Sequence, residues 1–404
     1  MEQRVKYGKT YIGVRVPQNT EYIKIRPPAG KAAKDSFTEE LSARLKPGIG
    51  SAGIVVSDKT RLCGYDTYLP CITQVLEEKG TGRDAVRFYI AYGTHPRQSE
   101  SESLDIYGNL YKEYEFVHHD CDDSDAMVNL GITERGTDIM VRKDIFEHDQ
   151  LILFGSISHH YFAAYGGGRK LLFPGLASRQ SIYHNHKLFL DFDNYRLHYG
   201  CRSGKLNGNP VAEDLYEIDC LMPEKIIISG ITDPSGGVSE LLIGDGYMDF
   251  INACRIYDSY YRIDCSTGFD NVIASCGGFP KDINFIQAHK SLHNAASFVR
   301  DGGNLILLGE CRDGIGNETF LDIFGGTKIE VFNNLRKNYS GNGGTALSLL
   351  SKTERINIFM LTGLDAGVCD TLNIVKLDEN ELRLKTGGLK GLTALIENAS
   401  LVYC

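Results

Sequence analysis

"SAGIVVSDKTR", Ser51–Arg61, runs five small or apolar residues into a polar tail. A short β-branched run with no polar alternation reads as a strand covered on both faces. "YLPCITQVLEEKG" (Tyr68–Gly80) follows with helical apolar spacing and ends in glycine, so it reads as a helix. Strand then helix is the unit of an α/β fold, and the pattern recurs outward from here. "AVRFYIAYG" (Ala85–Gly93), "QLILFGSIS" (Gln150–Ser158) and "EKIIISGITD" (Glu224–Asp233) read as further strands, and "GDGYMDFINACRIYDSYY" (Gly244–Tyr261) as a helix. A second such unit opens at "NVIASCGG" (Asn271–Gly278). It continues through a helix in "KDINFIQAHKSLHNAASFVRDGG" (Lys281–Gly303) and a strand, "NLILLGE" (Asn304–Glu310). The expected fold is therefore α/β: two α/β domains, 1–268 and 269–404, with the active site in the cleft between them.

The composition suits this. The 404 residues are 42% hydrophobic and 24% charged, enough for two cores. The formal charge of −9, without a long basic run, argues against nucleic acid as a partner. No apolar stretch approaches the roughly 20 residues of a membrane span. "MEQRVKYGKTYIGVRVP" is too charged for a signal peptide. Eleven cysteines without a C-x-x-C pair read as free thiols in a reducing cytoplasm. No internal repeat or low-complexity segment is present.

In open α/β sheets, sites form beyond the carboxyl ends of strands. Asp58-Lys59-Thr60-Arg61 follow the first strand, Thr94-His95-Pro96-Arg97 the second, His159 and His160 the third, and Glu310-Cys311-Arg312-Asp313 the strand of the second unit. Each group has two readings. "SDKTR" either caps a helix or presents amides and a guanidinium to an anion. His95 is either structural or an acid–base group. His118-His119 precede "DCDDSD", which is either a solvated acidic loop or a metal site. Gln287 and Lys290, spaced i, i+3 beside the buried Ile283 and Ile286, form a solvated face or a donor pair for an anion.

"SHHYFAAYGGGRKLLFPGLASRQSIYHNH" (Ser158–His186) gathers four of the eleven histidines. Its three glycines let the backbone approach something bulky. Lys170, ahead of "LLFPG", is either a surface lysine or a desolvated, nucleophilic amine. His184 and His186 share a face in a strand, and in a loop either is a ligand; with His160 they would make a zinc or iron hydrolase site. "GIGSAG" (Gly48–Gly53) precedes a strand instead of following one, and "GGGRK" lacks the Walker spacing, so neither is a nucleotide loop.

Taken in order, "SDKTR", "GTH", "SHHYFAAYGGGRKLLFPG", "NH" sixteen residues past the lysine, "GGFPKDINFIQAHK" and "GECRDGIG" resemble the nickel-pincer-dependent lactate racemase family, over about residues 45–320. The resemblance implies a nickel-pincer nucleotide (Ni(II)-pyridinium-3,5-bisthiocarboxylic acid mononucleotide type) carried by the N-terminal domain. It implies a covalent link through Lys170 and a metal ligand in His186. It places the acid–base pair on His95 and His160, with His159 adjacent; cofactor contacts on Asp58, Lys59, Thr60 and Arg61; and substrate contacts on Arg61, Gln287 and Lys290, the last two from the C-terminal domain. The implied reaction inverts carbon 2 of a 2-hydroxy acid by reversible hydride transfer, in a cytoplasmic isomerase that depends on cofactor-biosynthesis enzymes. The absence of tryptophan and the polar "NNLRKNYSGNGGTALSLL" lead to the expectation of a longer sugar acid, that is, an aldonate 2-epimerase, with a lactate or other short-chain racemase as the alternative.

Overall fold

The computed structural model describes residues 2–264, 268–339 and 342–404. The chain divides into two compact units, Pro27–Phe189 with Tyr199–Tyr260, and Met1–Arg26 with Leu190–His198 and Tyr261–Cys404. The sequence division had set 1–268 against 269–404. The units instead interleave, because the short strand Glu21–Ile23 pairs with a strand near the carboxyl end of the chain.

In the first unit, β1 (Ala52–Ser57), β2 (Val86–Ala91), β3 (Glu115–His118) and β4 (Gln150–Ser156) are parallel, and β4 leads into a hairpin of β5 (Ser158–His160) and β6 (Ala164–Gly166). β7 (Lys225–Thr232) adds to β4, and β8 (Val238–Gly244) closes the edge antiparallel. The order is β8-β7-β4-β1-β2-β3. The chain moves from β1 through β2 to β3, then returns to lay β4 on the other side of β1. The sheet therefore reverses its direction of growth between β1 and β4, and such a point opens a crevice at the strands' carboxyl ends. Every residue of β1 is buried, as its unbroken apolar run requires. α1 (Tyr65–Glu78) covers the sheet with Leu69, Ile72, Val75 and Leu76 in the core formed with Ile54, Val56, Phe88 and Phe154. α2 (Arg179–Lys187) and α3 (Tyr247–Tyr261) complete the parts that matter for the site.

The second unit carries α4 (Phe285–Ala296) and a fully parallel sheet of β9 (Phe269–Ser275), β10 (Val299–Leu308), β11 (Asn357–Leu361), β12 (Val375–Leu377) and β13 (Thr393–Ile396), ordered β12-β11-β10-β9-β13 and ending on Glu21–Ile23. β10 starts at Val299 rather than Asn304, taking in part of the expected helix. Phe285, Leu292, Phe298 and Phe320 fill its core. A basic cluster is buried with them. His289 and His293 lie one turn apart on α4. Lys352 Nζ donates to Ser348 O (2.9 Å) and Oγ (2.6 Å), while burial, with Arg355 nearby, lowers its amine to about 7.

Among the described residues nine cysteines are free thiols, but Cys404 is in a disulfide, against the expectation of free thiols throughout. Among the described residues no helix is long and apolar enough to cross a membrane.

Candidate active site

The residues after β1 fold back on themselves. Asp58 is buried at the strand end, and its Oδ1 accepts the Thr60 backbone N–H (3.0 Å) and hydroxyl (2.6 Å). Oδ2 lies 2.6 Å from His95 Nδ1, delivered by the turn after β2. Burial pushes the Asp58 carboxyl up, but the hydrogen bond and charge of His95, with the bonds from Thr60, outweigh it and hold the group below the ordinary carboxylate range. A carboxylate on Nδ1 fixes the ring tautomer and leaves Nε2 as the proton-accepting atom, the arrangement of an oriented general base. Lys59 turns the other way: its backbone N–H donates to Gln98 Oε1 (2.9 Å) and its amine pairs with Glu102 (2.5 Å) at the surface. Arg61 faces the hairpin, its Nη1 3.8 Å from where a Cβ on Gly166 would stand.

The stretch after β4 carries the rest. In the hairpin, His159 pairs across with Tyr165 and His160 with Ala164. Successive side chains of a strand point to opposite faces, so the two histidines part company. His159 Nε2 bonds Asp258 Oδ1 of α3 (2.8 Å), and Tyr165 Oη donates to Oδ2 of the same carboxylate (2.7 Å). His160 accepts the Ala163 backbone N–H at Nδ1 (3.2 Å).

Beyond the hairpin, Gly167 and Gly168 have φ of 80° and 52°, a region that side chains disfavour. A Cβ on Gly168 would stand 2.7 Å from the Phe250 ring, and one on Gly167 2.5 Å from Ser156 O. Only glycine threads this passage. Arg169 then stacks its guanidinium over Tyr247 (5.1 Å) and Phe250 (5.4 Å), and Lys170 places its amine 6.0 Å from the centre of the Phe162 ring. Part of the Lys170 side chain stays exposed. The amine itself is enclosed, and burial, with the charges of Arg61 and Arg169, drives its pKa well below the ordinary lysine value.

His186 sits on α2, whose preceding residue, Asn185, donates to Asp214 Oδ2 (2.8 Å). Asp214 also accepts the hydroxyls of Thr133 (2.5 Å) and Thr137 (2.8 Å), so the helix is anchored by a buried polar knot. The His186 ring meets Phe162 edge to face at 4.9 Å, and His160 meets the same phenyl at 4.6 Å. Burial, helped by Lys170, lowers the His186 imidazole to about 3, so the ring stays neutral with one nitrogen unprotonated.

The hydrolase alternative fails on this geometry. His184 and His186 lie on a helix, where residues two apart point to nearly opposite sides, and His184 Nδ1 accepts the Asp138 N–H (3.4 Å). Among the described residues the only cluster compact enough to share a metal is Asp120, Cys121 and Asp122. Asp122 there is gripped by Arg179 through two hydrogen bonds of 2.8 and 2.7 Å. His118 is bonded to Tyr92 and Tyr111, and His119 to Ala177 O. Gln287 and Lys290 lie on α4 of the second unit, where Lys290 Nζ donates to Gln287 Oε1 (2.8 Å). Asp258 and Tyr165 were not singled out from the sequence. The available signal was a carboxylate on the otherwise apolar stripe of Phe250, Ala253, Cys254, Tyr257 and Tyr261.

Residues 7–197 match the lactate racemase N-terminal domain, and residues 265–337 the lactate racemase C-terminal domain. The lactate racemase of Thermoanaerobacterium thermosaccharolyticum is 27% identical over 330 residues, covering 78% of this chain and 76% of its own. That of Lactiplantibacillus plantarum is 28% identical over 320 residues, covering 77% and 73%. The solved lactate racemase apoprotein of T. thermosaccharolyticum has the same fold, with a TM-score of 0.87 at 23% identity over 100% of this chain and 99% of that one. A Thermotoga maritima protein solved by structural genomics superposes with a TM-score of 0.71 at 15% identity, over 93% and 99%. The family domains and these relatives define an isomerase, a racemase of 2-hydroxy acids. The chain belongs to the lactate racemase family, whose cofactor is a nickel-pincer nucleotide attached to a lysine.

Proposed function

We propose that this protein racemises a short-chain 2-hydroxy acid of the lactate type, with the cofactor on Lys170, His186 as the nickel's protein ligand, and His95 and His160 as the acid–base pair. The observation that carries the reading is that Lys170 and His186, both kept neutral by burial, meet the same Phe162 ring, while Asp58 orients His95 beyond β1. These residues fit the group. An unprotonated amine is the nucleophilic form and an unprotonated imidazole is the ligating form, while the glycines, expected from the sequence to admit a bulky group, instead let the chain pass Phe250 and Ser156 on its way to Lys170. Held by Lys170 and His186, the cofactor would supply a reversible hydride acceptor for carbon 2.

The chain's own residues do the rest. His95 takes the hydroxyl proton at Nε2, and Asp58 stabilises the resulting imidazolium. His160, protonated while His95 is the base, gives its proton to the substrate oxygen, and the two histidines exchange roles when the reaction runs the other way. Arg61 forks onto the carboxylate. Asp58 supports His95 rather than the cofactor, and Thr60 supports Asp58. Lys59, paired at the surface with Glu102, is retained only as an outer cofactor contact.

Both curated relatives are lactate racemases, which favours a short-chain acid over the aldonate expected from the sequence. Ser340 and Gly341 of the polar segment behind that expectation lie outside the described residues. The enzyme acts in the cytoplasm, where cofactor-biosynthesis enzymes load it. The test is racemisation of D- and L-lactate by protein co-expressed with those enzymes; loaded protein that leaves both enantiomers unchanged contradicts the reading.

A further inference from the structure

We infer that Asp258 is a positioning residue for His160, acting through the carboxylate clamp it forms on His159 and Tyr165. The inference rests on the proposed acid–base role of His160.

His159 and Tyr165 are cross-strand partners, one on each strand of the hairpin, and both bond the same carboxylate, at 2.8 and 2.7 Å. A two-strand ribbon of three residues a side has little stability of its own. A single acceptor bridging a cross-strand pair fixes the register, and register decides which face each side chain takes, because a one-residue slip turns every side chain over. With His159 held on the Asp258 face, His160 is committed to the opposite face, against Phe162 at 4.6 Å.

The clamp is also continuous with the passage to Lys170. On α3, Phe250, Cys254 and Asp258 are spaced i, i+4, i+8 and so lie along one stripe. Phe250 backs Gly168 and Arg169, and Asp258 holds the hairpin. One helix face thus grips residues 158–169. Asp258 is the charged member of that stripe, and its side chain is 19% exposed. Tyr257, beside it, packs edge to face on His159 at 4.9 Å.

A base displaced by an ångström loses about 10²-fold in rate without losing the substrate. In loaded protein, Asp258→Ala is expected to lower kcat for lactate by about 10²-fold in both directions. KM should stay close to its wild-type value, and the cofactor adduct on Lys170 should be unchanged by intact mass. In the apoprotein, amide exchange across 158–166 should quicken while β1 and β4 keep their protection. Asp258→Asn, which retains one acceptor oxygen, should recover part of kcat. Tyr165→Phe, which removes one of the two bonds and keeps the ring, covers the case in which Asp258→Ala fails to fold, and should lower kcat by a smaller factor with KM again steady. Wild-type kcat in Asp258→Ala, a loss carried by KM alone, or unchanged exchange across 158–166 overturns the inference. A wild-type enzyme that racemises nothing overturns the function itself, which is a different result from an active enzyme indifferent to Asp258.

Discussion

Asp58 Oδ2 and His95 Nδ1 lie 2.6 Å apart, joining the end of β1 to the turn after β2 across 37 positions of sequence. The carboxylate is buried and the imidazole's other nitrogen is left for chemistry, so the two work as one unit. Asp58→Asn keeps the shape but offers an amide in place of the anion, which favours the wrong tautomer of His95. It is expected to lower kcat by about 10²–10⁴-fold in both directions. Retained activity in steady-state assays of Asp58→Asn would remove His95 from the proton-transfer pair.

Lys170→Ala should abolish the covalent adduct. The adduct is read by intact mass, independently of turnover, so the outcome does not depend on choosing the right substrate. An adduct of the same mass on the variant would place the tether elsewhere.

The hairpin separates the two adjacent histidines by face, His159 toward Asp258 and His160 toward Phe162. Gln in place of His159 still provides a donor for Asp258, so His159→Gln should retain activity within about an order of magnitude. His160→Gln should lose about 10²–10⁴-fold, the usual worth of general acid–base assistance. The reverse ranking of the two kcat values would assign the base to His159.

Lys352 gives a stability prediction with a definite sign. Its folded pKa of about 7 lies below the ordinary lysine value of 10.5. Between those values the unfolded chain binds a proton that the native state does not, so stability falls as pH drops from about 10.5 toward 7. Lys352→Met removes that proton linkage along with the bonds to Ser348, whose loss does not vary with pH. Relative to wild type, the variant should therefore gain unfolding free energy on going from pH 10 to pH 7.5 in denaturant titrations. A difference that does not change with pH would show that Lys352 is charged in the folded protein.

What the sequence disclosed follows from what local pattern records. β1, β2, β4 and α1 were legible because apolar runs and helical spacing report burial directly. His95, His160, Lys170 and His186 stand in the sequence as a motif in order, which is the ground for proposing their roles. Three features were not legible. The pairing of Glu21–Ile23 with β13 is a contact between chain ends, invisible to any window. The helix over Arg179–Lys187 was obscured because "RQSIYHNHK" is polar and its fold depends on the Asn185–Asp214 knot, 29 positions apart. Asp258 stands in a helix read correctly, yet its partners lie 99 and 93 residues away.

The central claim is that Lys170 and His186 hold a nickel cofactor against a 2-hydroxy acid served by His95 and His160. The most direct measurement takes protein co-expressed with the cofactor-making enzymes. It records intact mass and nickel content, then follows D- and L-lactate by chiral chromatography, with a six-carbon aldonate in parallel. The account predicts one nickel-bearing adduct on Lys170 and convergence of both lactate enantiomers to an equal mixture, with the aldonate turned over more slowly. A fully loaded protein that leaves lactate unchanged while epimerising the aldonate would contradict the short-chain assignment, and a loaded protein inert toward both would contradict the claim itself.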